Sequence, residues 1–465
     1  MNRGLRKILN YFMKFSDRTV EDIRNQMGKN RLLGVENYKL IKLLAKVLTS
    51  KRSPGDEMND FFKSRRPGKN QRQAIADLIF FVLNNKKRLF CSVMDRDNHK
   101  SFYDVIADVL SLAKRICFFP DKLFLDKHDL KISKALERFE LFETSALPDF
   151  RKVSIRFNYP VWIVKYFFNR KGPSYTYKVL TNSNNRRGFI CLRVNTIKVK
   201  PREVQRFLTN VRVESVISEI LPDCIYIKGK GNILGLESYE KGFFEIQDFG
   251  SQLITKVLNP KPYAIVVDYC CGAGGKTLSL SSIMKNTGLI YAIDVSSQRI
   301  NQLKMRANRA GVTNLYPLVV SHSDNSKIEH LRRKASFVLV DVPCTGSGTF
   351  IQYPHLKWRI TQKIVADYTR LQRNILEKAA ECCKKGGILV YSTCSIFEDE
   401  NNLVTDDFLK NNQDFSPVLW NIGVSVQNRK RLDTFLETDW RGGAILLDSS
   451  ISKYGFYFQK FVRNV

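Results

Sequence analysis

Along the chain the apolar positions follow two rhythms. Up to about residue 145 they recur three and four apart, as in "VENYKLIKLLAKVL" and "QRQAIADLIFFVLNNKKRL", the spacing that lays an apolar stripe on one face of a helix. "SKRSPGD" and "RRPGKN" interrupt that pattern with proline and glycine, so a bundle of helices joined by short turns is predicted. After "SALPDFRKV" come the strand-like pieces "GFICLRVNTI" and "CIYIKG", which predict a small α/β module. From about residue 246 the apolar runs "YAIVVDY", "GLIYAID", "SFVLVDV" and "GGILVYS" alternate with the amphipathic stretches "KTLSLSSIM", "SQRINQLKMRANRAG" and "YTRLQRNILEKAAECCKKGG". Near-continuous apolar strands between helices imply a mainly parallel sheet covered on both faces. The organisation read from this pattern is a helical domain over 1–145, a small α/β module over 146–245 and a larger α/β domain over 246–465. Ligands of such sheets bind beyond the carboxyl ends of the strands.

Composition changes this picture through charge. The 465 residues carry 76 Lys and Arg against 45 Asp and Glu, a formal +31, which predicts a polyanionic partner. The charge is not spread evenly. From Arg151 through Lys200 there are twelve cations and no acid, with Phe157, Tyr159, Trp162, Tyr166, Phe167, Phe168, Tyr175 and Tyr177 interleaved. Cations neutralise phosphates and aromatic faces stack on unpaired bases, the latter worth about 1 to 3 kcal/mol per base. This tract therefore predicts nucleic-acid binding. The ten cysteines include no C-x-x-C pair, so no structural metal is expected. The basic N-terminus "MNRGLRKILNYFMKFSDRTVEDI" develops no signal-type apolar core, and no 18-residue apolar run follows. A cytoplasmic protein with reduced thiols and no membrane association is the expectation.

Three short motifs fall at the predicted ligand edge of the larger domain. In "VVDYCCGAGGKTLSL", Gly272, Gly274 and Gly275 lie between the first strand and its helix, where glycine lets backbone approach a ligand closely. A Walker loop would need glycine at the position of Cys270, and a dinucleotide fingerprint would need it at Thr277. A nucleoside without a phosphate chain fits better. Asp294 ends the second strand about twenty residues on, the spacing at which an acid meets a ribose, and Asp324 follows the third strand as a candidate acceptor for an adenine amino group. The loop Cys270, Cys271, Gly272, Ala273, Gly274, Gly275 and Lys276 is thus read as a cofactor-binding turn.

The other two motifs carry thiols. "VLVDVPCTGSG" sets Asp341 and Cys344 at the end of the fourth strand, and "YSTCS" sets Cys394 at the end of the fifth, ahead of the acid cluster in "SIFEDEN". Adjacent parallel strands lie about 4.8 Å apart, so their ends can bring both thiols and Asp341 to one pocket. Cys382 and Cys383, in a helical pattern before Gly386 and Gly387, read as packing or surface thiols. A thiol, an acid and a nucleoside cofactor suit one chemistry in particular. Addition of a thiolate to carbon 6 of a pyrimidine makes carbon 5 nucleophilic toward a methyl donor, and a second group then helps remove the carbon 5 proton so that the thiol can leave.

With these residues in place, "DYCCGAGGKT", "DVPCTGSGTFIQYPHLKWRIT", "LQRNILEKAAECCKKGGILVYSTCSIFEDEN" and "YGFYFQKF" resemble the RNA cytosine-5 methyltransferases, the family of the bacterial ribosomal RNA small subunit methyltransferase B and the Nop2/Sun proteins. The resemblance covers the chain from about residue 240 onward. More loosely, "NDFFKSRRPGKNQRQAIADLIFFVLNNKKRL" is similar to the NusB-type helical RNA-binding domain of the bacterial members. The resemblance implies a class I methyltransferase fold, Rossmann-like with a mainly parallel seven-stranded sheet, behind a NusB-like domain and an RNA-binding module. It implies S-adenosylmethionine as cofactor and RNA as substrate, ribosomal RNA first and transfer RNA second. It makes Cys394 the nucleophile and Cys344 the residue that assists product release, with Asp341 contacting the cytosine and Lys276 facing the methionine carboxylate or the base. Asp294 and Asp324 would hold ribose and adenine, and Arg299 would support the ribose-binding acid or the substrate. The family's C-A-A-P-G-G-K reads "CCGAGGK" here, with Ala273 in place of proline, so a looser loop with retained cofactor binding is expected. Two other readings compete. A catalytically silent RNA-binding assembly factor would need neither the paired thiols nor the glycine loop, and a DNA methyltransferase commonly takes its nucleophile from the proline-cysteine motif alone.

Overall fold

The computed structural model describes residues 37–50, 52–93, 102–118, 135, 150–184, 189–228, 233–320, 326–422, 426–448, 450–452 and 454–465. The N-terminal segment read above for targeting signals, and Asp324, lie outside the described residues. The chain forms two compact units, one of residues 1–186 with 350–361, the other of 187–349 with 362–465.

In the first unit the three-and-four spacing becomes the helices Asn37–Thr49, Pro54–Arg65, Lys69–Asn84, Lys86–Val93 and Phe102–Phe118, followed by Phe150–Arg156 and Val161–Asn182. The stripes of the first five meet in one core around Leu44, Leu48, Leu78, Val82, Ile106 and Val109. The breaker segments act as caps. The Ser53 hydroxyl accepts from the Asp56 amide with Pro54 in the first turn, and Arg66 ends that helix at φ 45°. Residues 350–361 return to this unit, where Trp358 packs on its core and the Lys357 ammonium lies 3.8 Å from the Tyr159 ring centroid. The aromatic, acid-free tract is helical over Phe150–Arg156 and over Val161–Asn182, the latter kinked at Gly172 (φ 78°) ahead of Pro173, and most of its rings pack on one another. Phe150 meets Phe168 and Phe157 meets Tyr177 edge-on, while the exposed positions are the cations Arg151, Lys152, Arg156, Lys165, Arg170, Lys171 and Lys178 together with Asn169, Pro173, Ser174 and Thr181. The solvated side of this tract is therefore cationic rather than aromatic.

The second unit holds two sheets. β1 (Phe189–Val194), β2 (Ser215–Ile217), β3 (Cys224–Lys228) and β4 (Phe244–Ile246) pair antiparallel in the order β2-β3-β1-β4. The helix Pro201–Asn210 covers one face through Val204 and Leu208. The larger sheet has nine strands, where seven were expected. β5 (Ile265–Asp268), β6 (Leu289–Asp294), β7 (Leu315–Val319), β8 (Ala335–Asp341) and β9 (Cys383–Thr393) are parallel, in the order β9-β8-β5-β6-β7. β13 (Phe456–Arg463) joins β9 antiparallel, with β12 (Ala444–Leu446), β11 (Leu436–Thr438) and β10 (Phe415–Pro417) attached to that side. The sheet is thus mixed. β10 to β12 are three residues each, too short to show a period-two pattern. The five parallel strands reverse their order beside β5, the switch point at which such sheets bind ligands.

Candidate active site

Four strand ends meet above this switch point. Parallel register aligns Asp268 of β5 with Leu339 of β8 and Ala292 of β6, and Asp341 of β8 with Ser392 of β9. The carboxyl-terminal residues of β5, β6 and β8 are all acids, and Cys394 follows β9 directly. These ends line a cavity of about 440 Å³, together with Cys270, Cys271, Gly272, Ala273, Gly275, Lys276, Arg299 and Cys344, a volume within the range of small-molecule sites.

The glycine turn forms one side of the cavity. Gly272 and Gly274 have φ of +54° and +85°, left-handed values that favour glycine. A Cβ on Gly274 would come within 2.2 Å of Leu303, so this glycine packs against the neighbouring helix rather than facing the cavity. At Gly272 a Cβ would meet nothing within 4 Å, which leaves that backbone open. Asp294 accepts from the Gly272 amide at 2.9 Å and the Ser296 amide at 2.9 Å, and the Arg299 guanidinium stands 4.0 Å away. Beneath the turn, Asp268 is fully buried, its Oδ2 accepting from Thr277 at 2.7 Å while Oδ1 has no hydrogen-bond partner among the described residues. Burial pushes its carboxyl up to about 7. An open glycine backbone, a ribose-spaced acid and an unpartnered carboxyl oxygen fit a nucleoside cofactor bearing a cationic group.

On the opposite side the two thiols converge. Cys344 Sγ lies 3.2 Å from Cys394 Sγ. The hydrogen bond to Cys394, with burial, pushes the Cys344 thiol well up. Lys276 donates to Asp341 at 2.6 Å, and Ser392 donates to the other oxygen of Asp341 at 2.8 Å. Burial alone would lower Lys276, but Asp341 and the Cys394 sulfur outweigh it, so its ammonium is favoured. The cavity edge therefore presents two sulfurs, a carboxylate and a lysine cation.

Two features escaped the sequence reading. Glu400, in the acid cluster after Cys394, is fully buried and takes four donors: the Thr345 amide at 2.8 Å, the Thr345 hydroxyl at 2.5 Å, the Ser395 hydroxyl at 2.5 Å and the Gln372 amide at 2.9 Å. Thr345 follows Cys344 and Ser395 follows Cys394, so one carboxylate fastens both thiol-bearing turns. An acid in "FEDEN" gives no local sign of burial. Ser392 was missed because a serine inside an apolar strand reads as packing. Cys382 and Cys383 are buried at the junction of the helix Gln362–Cys382 with β9, as packing thiols. Among the described residues no cluster of His, Cys, Asp and Glu could hold a metal ion, and no helix is long and apolar enough to cross a membrane.

Comparison with known proteins agrees with this geometry. Residues 255–436 match the family described as 16S rRNA methyltransferase RsmB/F. The chain is 29% identical over 296 residues to a probable ribosomal RNA small subunit methyltransferase B of Synechocystis, a match covering 62% of this chain and 66% of that protein. It is 31% identical to the human 28S rRNA (cytosine(4447)-C(5))-methyltransferase, over 48% of this chain and 28% of that one. The chain thus spans less than two thirds of the length of either relative. A solved methyltransferase homologue from Pyrococcus horikoshii superposes with a TM-score of 0.56 at 25% identity, covering 69% of this chain and all of that one. The fold is that of class I methyltransferases, whose methyl donor is S-adenosylmethionine, and the resemblance to RNA cytosine-5 methyltransferases read from the motifs is borne out.

Proposed function

We propose, from a chain whose residues 255–436 match the RsmB/F methyltransferase family, that this protein methylates carbon 5 of a cytosine in ribosomal RNA. The observation that carries the proposal is the pair of sulfurs 3.2 Å apart at the edge of a nucleoside-sized cavity. RNA affinity alone asks for no such pair.

S-adenosylmethionine, when bound, supplies the electrophilic methyl group. The turn from Cys270 to Lys276 would receive it, with Asp294 at the ribose, Asp324 toward the adenine and Arg299 behind Asp294. Cys394 adds through sulfur to carbon 6 of a cytosine taken out of its stack. Asp341, held by Ser392 and Lys276, accepts a hydrogen bond from the exocyclic amine of the cytosine, and Lys276 balances the negative charge that gathers on the ring at N3. Cys344, whose sulfur lies 3.2 Å from that of Cys394, takes the carbon 5 proton as a thiolate once its own proton has passed to solvent; the released electron pair re-forms the carbon 5–carbon 6 double bond, the carbon–sulfur bond breaks and Cys394 leaves as a thiolate. The helices of 1–145 act as a NusB-like RNA-binding domain, the module of 146–245 guides the strand into the catalytic domain of 246–465, and the cation-rich face of Phe150–Asn182 grips phosphates in the cytoplasm.

Cys394→Ala should abolish transfer of a labelled methyl group to RNA while S-adenosylmethionine still binds. Cys344→Ala should retain an RNA adduct that survives a denaturing gel. Full activity without Cys394 would refute the nucleophile, and absence of an adduct would remove the release role of Cys344.

A further inference from the structure

The turn that receives the cofactor is intrinsically soft. Two left-handed glycines bend it, and glycine gives up more conformational freedom on ordering than any other residue. Its inner side is tied to the sheet. The Cys271 amide donates to Ile293 at 2.8 Å, the Gly272 amide to Asp294 at 2.9 Å and the Gly274 amide to Cys271 at 2.9 Å.

Its outer side is held by a side chain from another element. Arg306, on the helix Ser297–Ala310, donates through Nη1 to the Ala273 carbonyl at 2.7 Å. Its Nη2 donates to Glu245 of β4 at 2.9 Å. Glu245 is 3% exposed and also pairs with Arg309, whose guanidinium lies 3.8 Å from the Tyr239 ring centroid. A buried carboxylate with two cations is a fixed anchor, and the planar fork of arginine lets one side chain bridge anchor and carbonyl. The bridge ends at Ala273, where the resembled family has proline. A proline ring would lock φ at that residue, whereas alanine leaves it free.

We infer that Arg306, anchored on Glu245, is a positioning residue that keeps the glycine turn in its cofactor-binding shape, supplying by a hydrogen bond the restraint that a proline would supply by its ring. The inference rests on the reading of the cavity as an S-adenosylmethionine site. It also ties the cofactor turn to β4, so the four-stranded sheet takes part in cofactor binding without touching the cofactor.

A proline ring at position 273 would cost no backbone hydrogen bond among the described residues. Ala273 does not share the positive φ of its glycine neighbours, and among the described residues no backbone carbonyl accepts from its amide. The test therefore compares the full-length wild type, Arg306→Gln, Arg306→Lys, Ala273→Pro and the double variant Arg306→Gln/Ala273→Pro. Calorimetric titration with S-adenosylmethionine and S-adenosylhomocysteine reads binding, circular dichroism checks folding, and methyl transfer at saturating cofactor reads kcat. Arg306→Gln should raise the cofactor Kd and KM about tenfold, the size expected for one lost charge-assisted hydrogen bond, with kcat changed less than about twofold. Arg306→Lys should recover only part of the affinity, because an ammonium cannot serve both acceptors in the plane of a fork. In the Ala273→Pro background the same Arg306→Gln change should cost less than about threefold, since the two restraints are coupled. Unchanged affinity in Arg306→Gln, an equally large loss in the proline background, or a fall in kcat with affinity intact would each overturn the inference. A folded wild type that binds neither ligand would remove the methyltransferase reading itself, a failure separate from equal binding by wild type and variant.

Discussion

Asp268 and Asp341 end neighbouring strands of one sheet, yet their hydrogen-bond surroundings differ. Asp341 has Lys276 and Ser392 on its two oxygens. Asp268 has the Thr277 hydroxyl on one, and burial, reinforced by the charges of Asp341 and Asp294, lifts it to about 7 against the pull of Thr277 and Lys276. The sign of the consequence follows from proton counting. Between about pH 4 and 7 the folded chain keeps a proton on Asp268 that the unfolded chain has released. Stability therefore falls as pH rises through that window and levels off above it. Comparing urea unfolding at pH 5 and pH 7.5, the wild type should lose roughly 2 kcal/mol from this group, a loss absent in Asp268→Asn. Parallel pH profiles for the two proteins would show that Asp268 does not titrate in this way. Of the residues that line the cavity, Cys344, Cys394, Asp341, Lys276 and Asp294 were legible because each sits in a strand-to-turn phrase. The character of Asp268 was not legible, since it depends on what covers it.

Secondary-structure elements bring the thiols together through their ends. β8 and β9 are adjacent and parallel, and the turns that follow them are fastened to each other. The Gly348 amide donates to the Cys394 carbonyl at 2.9 Å, and Gly348 in turn accepts from the Gly455 amide at 2.9 Å. A Cβ on Gly348 would fall 2.1 Å from the Gly455 carbonyl oxygen, so these turns touch backbone to backbone. Glu400 completes the fastening from below. An amide presents one acceptor oxygen where the carboxylate presents two, so Glu400→Gln should leave a buried donor short of a partner and destabilise the protein by about 1 to 3 kcal/mol. It should also lower methyl transfer at least about tenfold by loosening the thiol pair, the scale of effect seen when reacting groups lose alignment, while cofactor affinity stays near wild type. Urea unfolding, cofactor titration and initial rates check the three parts. Wild-type rates in this variant would mean that the two turns hold their spacing without the carboxylate. The parallel strands were legible as long apolar runs. The antiparallel side was not, because three-residue strands acquire their identity only from the partner that pairs with them.

For the whole molecule, a formal +31 sets the long-range behaviour. The structure changes how the basic tract should act. Its rings pack on each other and its cations from Arg151 to Lys178 point outward, with Arg170 lying 4.1 Å from the Tyr166 ring centroid. Phosphate binding, rather than base stacking, is the mode this arrangement favours, and phosphate binding is read by salt. Replacing Arg151, Lys152, Arg156 and Lys165 together by Glu should weaken RNA binding. The slope of log affinity against log salt should shrink by about 0.7 for each single-strand phosphate that is no longer neutralised. Filter binding across a salt series measures that slope. An unchanged slope would move the RNA path to another face.

Local phrases in the chain determined the alternation of strands and helices, the turn that needs glycine and the residue types that end each strand, because these depend on backbone geometry within a few residues. Tertiary structure alone decided that two sulfurs fifty residues apart stand within 3.2 Å, that Glu400 is buried beneath them and that Arg306 reaches Ala273. Those distances come from strand order, register and helix packing, which join segments remote in the chain and leave no trace in the composition of any one of them.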